Sequence, residues 1–182
     1  MPPDRAGHGQ RPTHRLTLVG VVEVDETLIG GKAKGEGRGY RGNKTWVAGA
    51  IQRHGNVRLE CIPDVKRATL HAFIARAVRD EAEALYTDDL VAYLGIEGAD
   101  TRHETVNHSG EEWVIGDVHT NSIENIWSLF ERSITGAFHK VSRKRLDRCL
   151  EELEWRFSNR ENHYIVRDTL VGYRDQARAP ER

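Results

Sequence analysis

Residues Val21 to Gly31 read VVEVDETLIGG, and their alternation decides the fold. β-Branched residues suit a pleated, half-buried surface. A period of two sends Glu23, Asp25 and Thr27 to one face of a strand and Val22, Val24 and Glu26 to the other. One face is therefore acidic. A buried, unpaired carboxylate costs several kcal/mol, so Asp25 calls for a proton, a cation or a metal. Gly30 and Gly31 end the strand.

On the N-terminal side, Met1 to Arg15 is rich in Pro, Gly, His and Arg with no hydrophobic period, which predicts a disordered lead over residues 1–15. The strand itself is expected from Leu16 to Leu28, with Gly20 marking a bulge. On the C-terminal side, Gly30 to Gly42 holds six glycines among Lys32, Lys34, Arg38 and Arg41. Such a loop suits backbone lying close to a phosphate chain, or is simply a mobile hairpin connection. Lys44 to Arg53 then reads as a second strand, His54 to Asn56 as a tight turn and Val57 to Pro63 as a third strand, an antiparallel hairpin.

From Thr69, placed to cap a helix, the period changes: Leu70, Phe73, Ile74, Ala77 and Val78 form one helical face. Ala84 to Thr87 is a fourth strand ending at Asp88, Leu90 to Leu94 a helical turn, and His103 to Asn107 a fifth strand. Ile123, Ile126, Trp127, Phe130 and Ile134 predict an amphipathic helix beginning near His119, with Glu124 at the border of its apolar stripe beside Ser128 and Glu131. Ser142 caps a longer helix with Leu146, Cys149, Leu150, Leu153 and Phe157 inward, and a short helix and tail follow over residues 161–182. This order of elements is that of an α/β, ribonuclease H-like mixed sheet with helices packed on its faces, one domain over residues 16–160.

Composition agrees. The 182 residues are 38% hydrophobic and 30% charged, enough for one domain with a real core and too few for two. No run approaches the roughly 18 apolar residues of a membrane span, and no signal peptide is visible, so a cytoplasmic protein without a membrane partner is expected. Cys61 and Cys149 alone build neither a disulfide framework nor a four-cysteine zinc site. Any metal must sit on oxygen or imidazole. The formal net charge of −1 argues against a generic nucleic-acid binder, but its distribution is uneven. Lys32, Lys34, Arg38, Arg41 and Lys44 form one basic stretch, and Lys140, Arg143, Lys144, Arg145 and Arg148 another. The second crowds the start of a helix, where the dipole favours acids, so those charges serve a partner rather than the helix.

Three carboxylates stand where chemistry can use them: Asp25 on the first strand, Asp88 after the fourth and Glu124 on a later helix, with thirty-five residues between the last two. Hard divalent cations such as Mg²⁺ take oxygen ligands, and two of them about 3.5–4 Å apart stabilise both attacking and leaving oxygens of a phosphodiester displacement. Asp89 competes with Asp88; the Thr-Asp position favours Asp88, leaving Asp89 to cap the next turn. His119 and Asn121 either cap the later helix or contact DNA and order Glu124. Trp46, Trp113, Trp127 and Trp155 read as core residues, with Trp155 the best exception because it lies off its helix's stripe.

In order along the chain, VEVDET followed by GGK, TDxxxxY from Thr87 to Tyr93, HTNxIExxWS from His119 to Ser128, and HxxSRKxL from His139 to Leu146 resemble the DDE transposases of bacterial insertion sequences. The nearest subgroup is the one whose catalytic domain follows a zinc ribbon. The resemblance runs from about Val21 to Arg160. It implies that Asp25, Asp88 and Glu124 are catalytic and bind metal, Mg²⁺ with Mn²⁺ able to substitute and two ions in all, with no organic cofactor. It implies DNA partners, both transposon ends and target, contacted by Lys32, Lys34, Arg38, Arg41, Lys44, His119, Asn121, Arg132, Lys140, Arg143, Lys144 and Arg145, and a homo-oligomer on the DNA. The reaction implied is cleavage at a transposon end followed by transfer of the 3′-hydroxyl to target DNA. Two departures stand out. The basic residue usual seven positions after the catalytic glutamate is here Glu131, with Arg132 one step later as its substitute. The zinc ribbon is not in this sequence, which leads to the expectation of a truncated copy or a catalytic fragment.

Overall fold

In the computed structural model, residues 17–30, 44–96, 101–106, 120–134 and 143–167 are described. Five strands, β1 (Val21–Ile29), β2 (Thr45–Gln52), β3 (Val57–Ile62), β4 (Ala84–Asp88) and β5 (Arg102–Val106), form one mixed sheet in the order β3-β2-β1-β4-β5. β1, β2 and β3 make an antiparallel meander, whereas β4 and β5 run parallel to β1. Among the described residues, three long α-helices accompany them, α1 (Arg67–Ala77), α2 (Asn121–Ser133) and α3 (Arg143–Ser158), with a short helical turn at Val91–Tyr93.

The meander follows from tight local chemistry. His54 takes a positive φ in the two-strand turn, and the Gly55 N–H donates to the Gln52 carbonyl at 2.9 Å. Parallel β4 needs a crossover, which α1 provides. The alternation expected of β1 holds. Val22 and Val24 point to a core built with Leu70, Phe73, Ile74 and Ala77 of α1, together with Ala48, Ala50 and Tyr93. The opposite face carries Ile29, Val47, Ile51, Val57 and Leu59, covered by Ile123, Ile126, Trp127 and Phe130 of α2 and by Leu146, Leu150 and Leu153 of α3. The sheet is thus the middle of three layers, and Glu23 and Asp25 face the α2–α3 layer.

Several boundaries differ from the sequence expectation for physical reasons. β1 begins at Val21 rather than Leu16, because Gly20 at φ +67° breaks the strand. Leu18, ahead of it, is fully buried and bridges Val78 instead, its N–H donating to the Ala77 carbonyl at 2.8 Å. α1 starts two residues before Thr69. Thr69 lies in its first turn and donates its hydroxyl to Asp64 at 2.6 Å, and Asp64 also accepts the Lys66 N–H at 3.1 Å. α2 starts at Asn121 with Thr120 at the cap, not at His119, which lies outside the described residues. Ser142, the lead over residues 1–15 and the glycine-rich loop also fall outside them, and of the expected C-terminal helix only residues 165–167, which are helical, fall inside. No described helix is long and apolar enough to cross a membrane. Cys61 and Cys149 are both free thiols.

Edge strand β3 is protected by α3. Arg58 and Glu154, both nearly buried, form an ion pair there, and the second Glu154 oxygen accepts the Leu59 N–H at 3.1 Å. The edge donor is thereby satisfied and unavailable for pairing with another strand.

Candidate active site

The site is organised by where a ladder stops. β1 and β4 pair in parallel at Val21↔Ala84, Val22↔Leu85 and Glu23↔Tyr86, and no further. Continued by one pleat, that register would set Asp25 opposite Asp88. Like charges on directly neighbouring strand positions repel, and the strands part just before both carboxylates. β4 meanwhile goes on pairing with β5 as far as Asp88↔Val106. The result is a notch at the sheet's end with Asp25 on one wall and Asp88 on the other.

The third carboxylate comes from α2. Glu124 lies in that helix's first turn, exposed, and accepts a hydrogen bond from the Thr120 hydroxyl at 3.4 Å. The Asp25 carboxyl is pushed up to about 6, first by burial and further by the negative charges of Asp88 and Glu124, against the opposing pull of the Trp127 hydrogen bond. Asp25 therefore lies within electrostatic reach of both Asp88 and Glu124. Asp88, not Asp89, turns the chain after β4: its Oδ1 accepts the Leu90 N–H at 3.1 Å, while Asp89 is exposed. The expectation that Asp89 caps this turn is thus corrected, since Asp88 sits at the strand's end within reach of that amide.

Two polar residues of β1 have partners that sequence alone did not assign. Glu23 is fully buried. Its carboxylate accepts the Ser122 N–H at 2.7 Å, the Ser122 hydroxyl at 2.9 Å and the Ile123 N–H at 3.1 Å, and Arg53 Nε donates to it at 2.9 Å. The Arg53 guanidinium also stacks 4.7 Å above the centre of the Tyr86 ring. Thr120 makes no side-chain cap to α2, and Asn121 is the first helical residue, exposed, so the capping role open to Asn121 falls to Glu23. On the other face of β1, Glu26 accepts a hydrogen bond from the Tyr93 hydroxyl. Burial chiefly pushes Glu26 up to about 7, and Tyr93, itself buried next to that acid, is also raised.

Trp127, read from sequence as core, does more. Its indole Nε1–H donates to Asp25 Oδ2 at 2.8 Å. The space for the ring is made on β2, where Gly49 is the register partner of Asp25. A Cβ at Gly49 would stand 2.6 Å and 2.7 Å from two Trp127 ring carbons and 2.9 Å from Ile123, too close for any side chain. One available signal pointed here: a buried indole three residues after Glu124 must find an acceptor for its N–H.

Of the expected DNA contacts, Lys44, Asn121, Arg132 and Arg145 are described and exposed, the first just before β2, the next two at opposite ends of α2, and Arg145 in the first turn of α3. Arg143 and Lys144 open α3. Lys32, Lys34, Arg38, Arg41, His119 and Lys140 lie outside the described residues, as does Trp113. Trp155 is 45% exposed, in keeping with its position off the stripe. Among the described residues, no three His, Cys, Asp or Glu side chains are already gathered closely enough to hold an ion.

No curated protein matches the chain. Among solved structures, the catalytic core domain of BIV integrase superposes with a TM-score of 0.52 at 12% identity, covering 75% of this chain and 81% of that one, which shows the ribonuclease H-like fold. The catalytic core domain of HTLV-2 integrase, solved in complex with magnesium, gives 0.46 at 17% identity over 78% of this chain and 86% of that one. A chain of the simian T-cell lymphotropic virus intasome gives 0.49 at 15% identity, and there the match covers 78% of this chain but about half, 49%, of the other. Residues 17–158 match the ISXO2-like transposase domain, most of the sequence and every described strand, and the chain belongs to that transposase family.

Proposed function

We propose that this chain is the catalytic core of a DNA transposase that cleaves at transposon ends and transfers the freed 3′-hydroxyl to target DNA, with Asp25, Asp88 and Glu124 holding divalent metal. What supports the reading is the end of the β1–β4 ladder just before Asp25 and Asp88, together with the influence of the Asp88 and Glu124 charges on Asp25. The donor set suits Mg²⁺, or Mn²⁺ in its place, because all three ligands are hard oxygens and their mutual repulsion is what a divalent cation relieves. When bound, two ions would activate the attacking oxygen and stabilise the leaving one.

The chemistry balances without an external energy source. In the first step water attacks phosphorus, the 3′-oxygen leaves and takes a proton, and the element ends in a 3′-hydroxyl. In the second that hydroxyl attacks a target phosphorus and the target's own 3′-oxygen leaves, so one phosphodiester is exchanged for another. Lys44, Asn121, Arg132 and Arg145, with Arg143, Lys144, Lys32, Lys34, Arg38, Arg41, His119 and Lys140, contact the DNA backbone. Contacts of this kind give affinity and position rather than sequence choice, and they weaken steeply with salt. The active form on DNA is a homo-oligomer that pairs two ends.

The test is strand cleavage and joining on a labelled oligonucleotide carrying the parent element's end, with Mg²⁺ or Mn²⁺, comparing wild type with Asp25→Asn and Glu124→Gln. Both variants should keep DNA binding and lose about 10³-fold or more in product, a transition-state loss of several kcal/mol. Undiminished cleavage by either variant, or in excess chelator, overturns the assignment. Released ends without joined product would make the protein a hydrolytic nuclease instead.

A further inference from the structure

The hydrogen bonds described between α2 and β1 fall at two points, and their spacings agree. Glu23 takes the amides of Ser122 and Ile123, and Asp25 takes the indole of Trp127. Two residues along a strand advance about 6.7 Å. The four to five residues from Ile123 or Ser122 to Trp127 advance about 6 to 7.5 Å along a helix. The steps between the two ties are therefore of similar length on helix and strand. Glu124 lies between the two ties.

We propose that Glu23 and Trp127 are positioning residues that clasp α2 to β1 and thereby fix where Glu124 stands relative to Asp25, with Gly49 supplying the gap that the clasp requires. The proposal rests on the reading of Asp25 and Glu124 as metal ligands. Each half of the clasp has its own physical logic. Glu23 satisfies two N–H groups that a helix start leaves without partners, and it does so from inside the sheet, so the helix cannot slide along the strand without losing both. Trp127 occupies one oxygen of Asp25 and so turns the other in a set direction. Its rigid ring can reach that oxygen only because β2 carries no side chain at Gly49. A donor behind a ligating carboxylate is the kind of partner whose removal costs about 10- to 100-fold in metal affinity or activity.

Trp127→Phe isolates the hydrogen bond, since it keeps an aromatic ring in the core and deletes only the donor and part of the ring's width. Mn²⁺ binding to the full chain, followed by calorimetry, should weaken about 10-fold, while the melting temperature shifts by only a few degrees. In the cleavage assay kcat should fall about 10- to 100-fold with KM for DNA within about twofold of wild type, a split that a loosened core would not produce. Gly49→Ala, which displaces the ring without touching either acid, should reproduce the same loss. Wild-type Mn²⁺ affinity and kcat in a folded Trp127→Phe protein would overturn the proposal.

If the wild type itself binds no Mn²⁺ and cleaves nothing, the metal reading fails and the clasp is judged by hydrogen exchange. Glu23→Gln should speed exchange of the Ser122 and Ile123 amides and of the Trp127 indole while leaving the amides of α1 unchanged. Unaltered exchange in α2 would then overturn the clasp. The same exchange measurement serves if Trp127→Phe does not fold.

Discussion

The two faces of the sheet are held by different physics. On the α1 side, Leu18, Val22, Val24, Leu70 and Phe73 are essentially buried, and the adhesion is apolar area and close packing. On the α2–α3 side the same sort of apolar stripe is interrupted by directional contacts: Glu23 on the helix start, Asp25 on Trp127, and the buried Arg58–Glu154 pair. Hydrophobic burial is strong but nondirectional. It keeps a helix on a sheet without fixing its position along the strand. Hydrogen bonds to buried carboxylates add little net stability, yet they are costly to leave unmade, and so they fix position. One face keeps the domain folded; the other places the acids.

The most severe way to probe this division is Phe73→Ala on α1. It should cost about 3–5 kcal/mol, read as a lowered midpoint in urea, while the remaining folded protein keeps the Mn²⁺ affinity of wild type. Loss of metal affinity at full folding would show that the faces are not independent.

A smaller effect is spread over pH. Asp25 is raised from 3.8 to about 6 and Glu26 from 4.5 to about 7, both chiefly by burial. The folded state therefore binds these protons more tightly than the unfolded chain. Their contribution to stability is fully present below about pH 4 and is lost as pH rises through 6 to 7. Melting temperatures across that window should show this falling component in wild type and a shallower one in Asp25→Asn. Mg²⁺ at pH 7 should restore part of it, because a ligand that binds only the folded state stabilises it; a profile indifferent to both would contradict the notch as an acidic site.

Tyr93→Phe tests a part-buried polar contact on the α1 side. It leaves the half-buried Glu26 oxygen without its hydroxyl donor and should cost about 1–3 kcal/mol at pH 7, less when the acid is protonated. At the bottom of the scale lies Glu152→Ala on the outer face of α3. Its pair with Arg156 is largely exposed and should change stability by no more than about 0.5 kcal/mol. A larger change at Glu152 than at Tyr93 would reverse the ranking of buried over exposed polar contacts.

Much of this was legible in the sequence because periodicity is a local signal. The face assignment along Val21 to Ile29, the hairpin around His54 and the stripe from Ile123 to Phe130 each follow from residues a few positions apart. The places of the three acids, Asp25 within β1, Asp88 at the end of β4 and Glu124 in the first turn of α2, were legible for the same reason. What stayed hidden depends on partners far away. Glu23 and Asp25 alternate to the same face and look alike in sequence, yet one meets helix amides ninety-nine positions on and the other an indole 102 positions on. Gly49 reads as an ordinary weak point in a strand, and its meaning appears only when the Trp127 ring lies over it. The early start expected for β1 failed because Leu18 has the right character for a strand but is diverted to α1 by the turn at Gly20.

Those long separations also govern the order of assembly. The β1–β2–β3 meander joins neighbours along the chain and closes short loops, whereas the ties between β1 and α2 close a loop of about a hundred residues, the kind of contact whose entropy must be met before it gives anything back. Such contacts are expected to form late, after the transition state. Loosening them should then accelerate unfolding while leaving the refolding rate nearly unchanged, so the residence time of the assembled site, rather than the speed of its formation, is what Glu23 and Trp127 control.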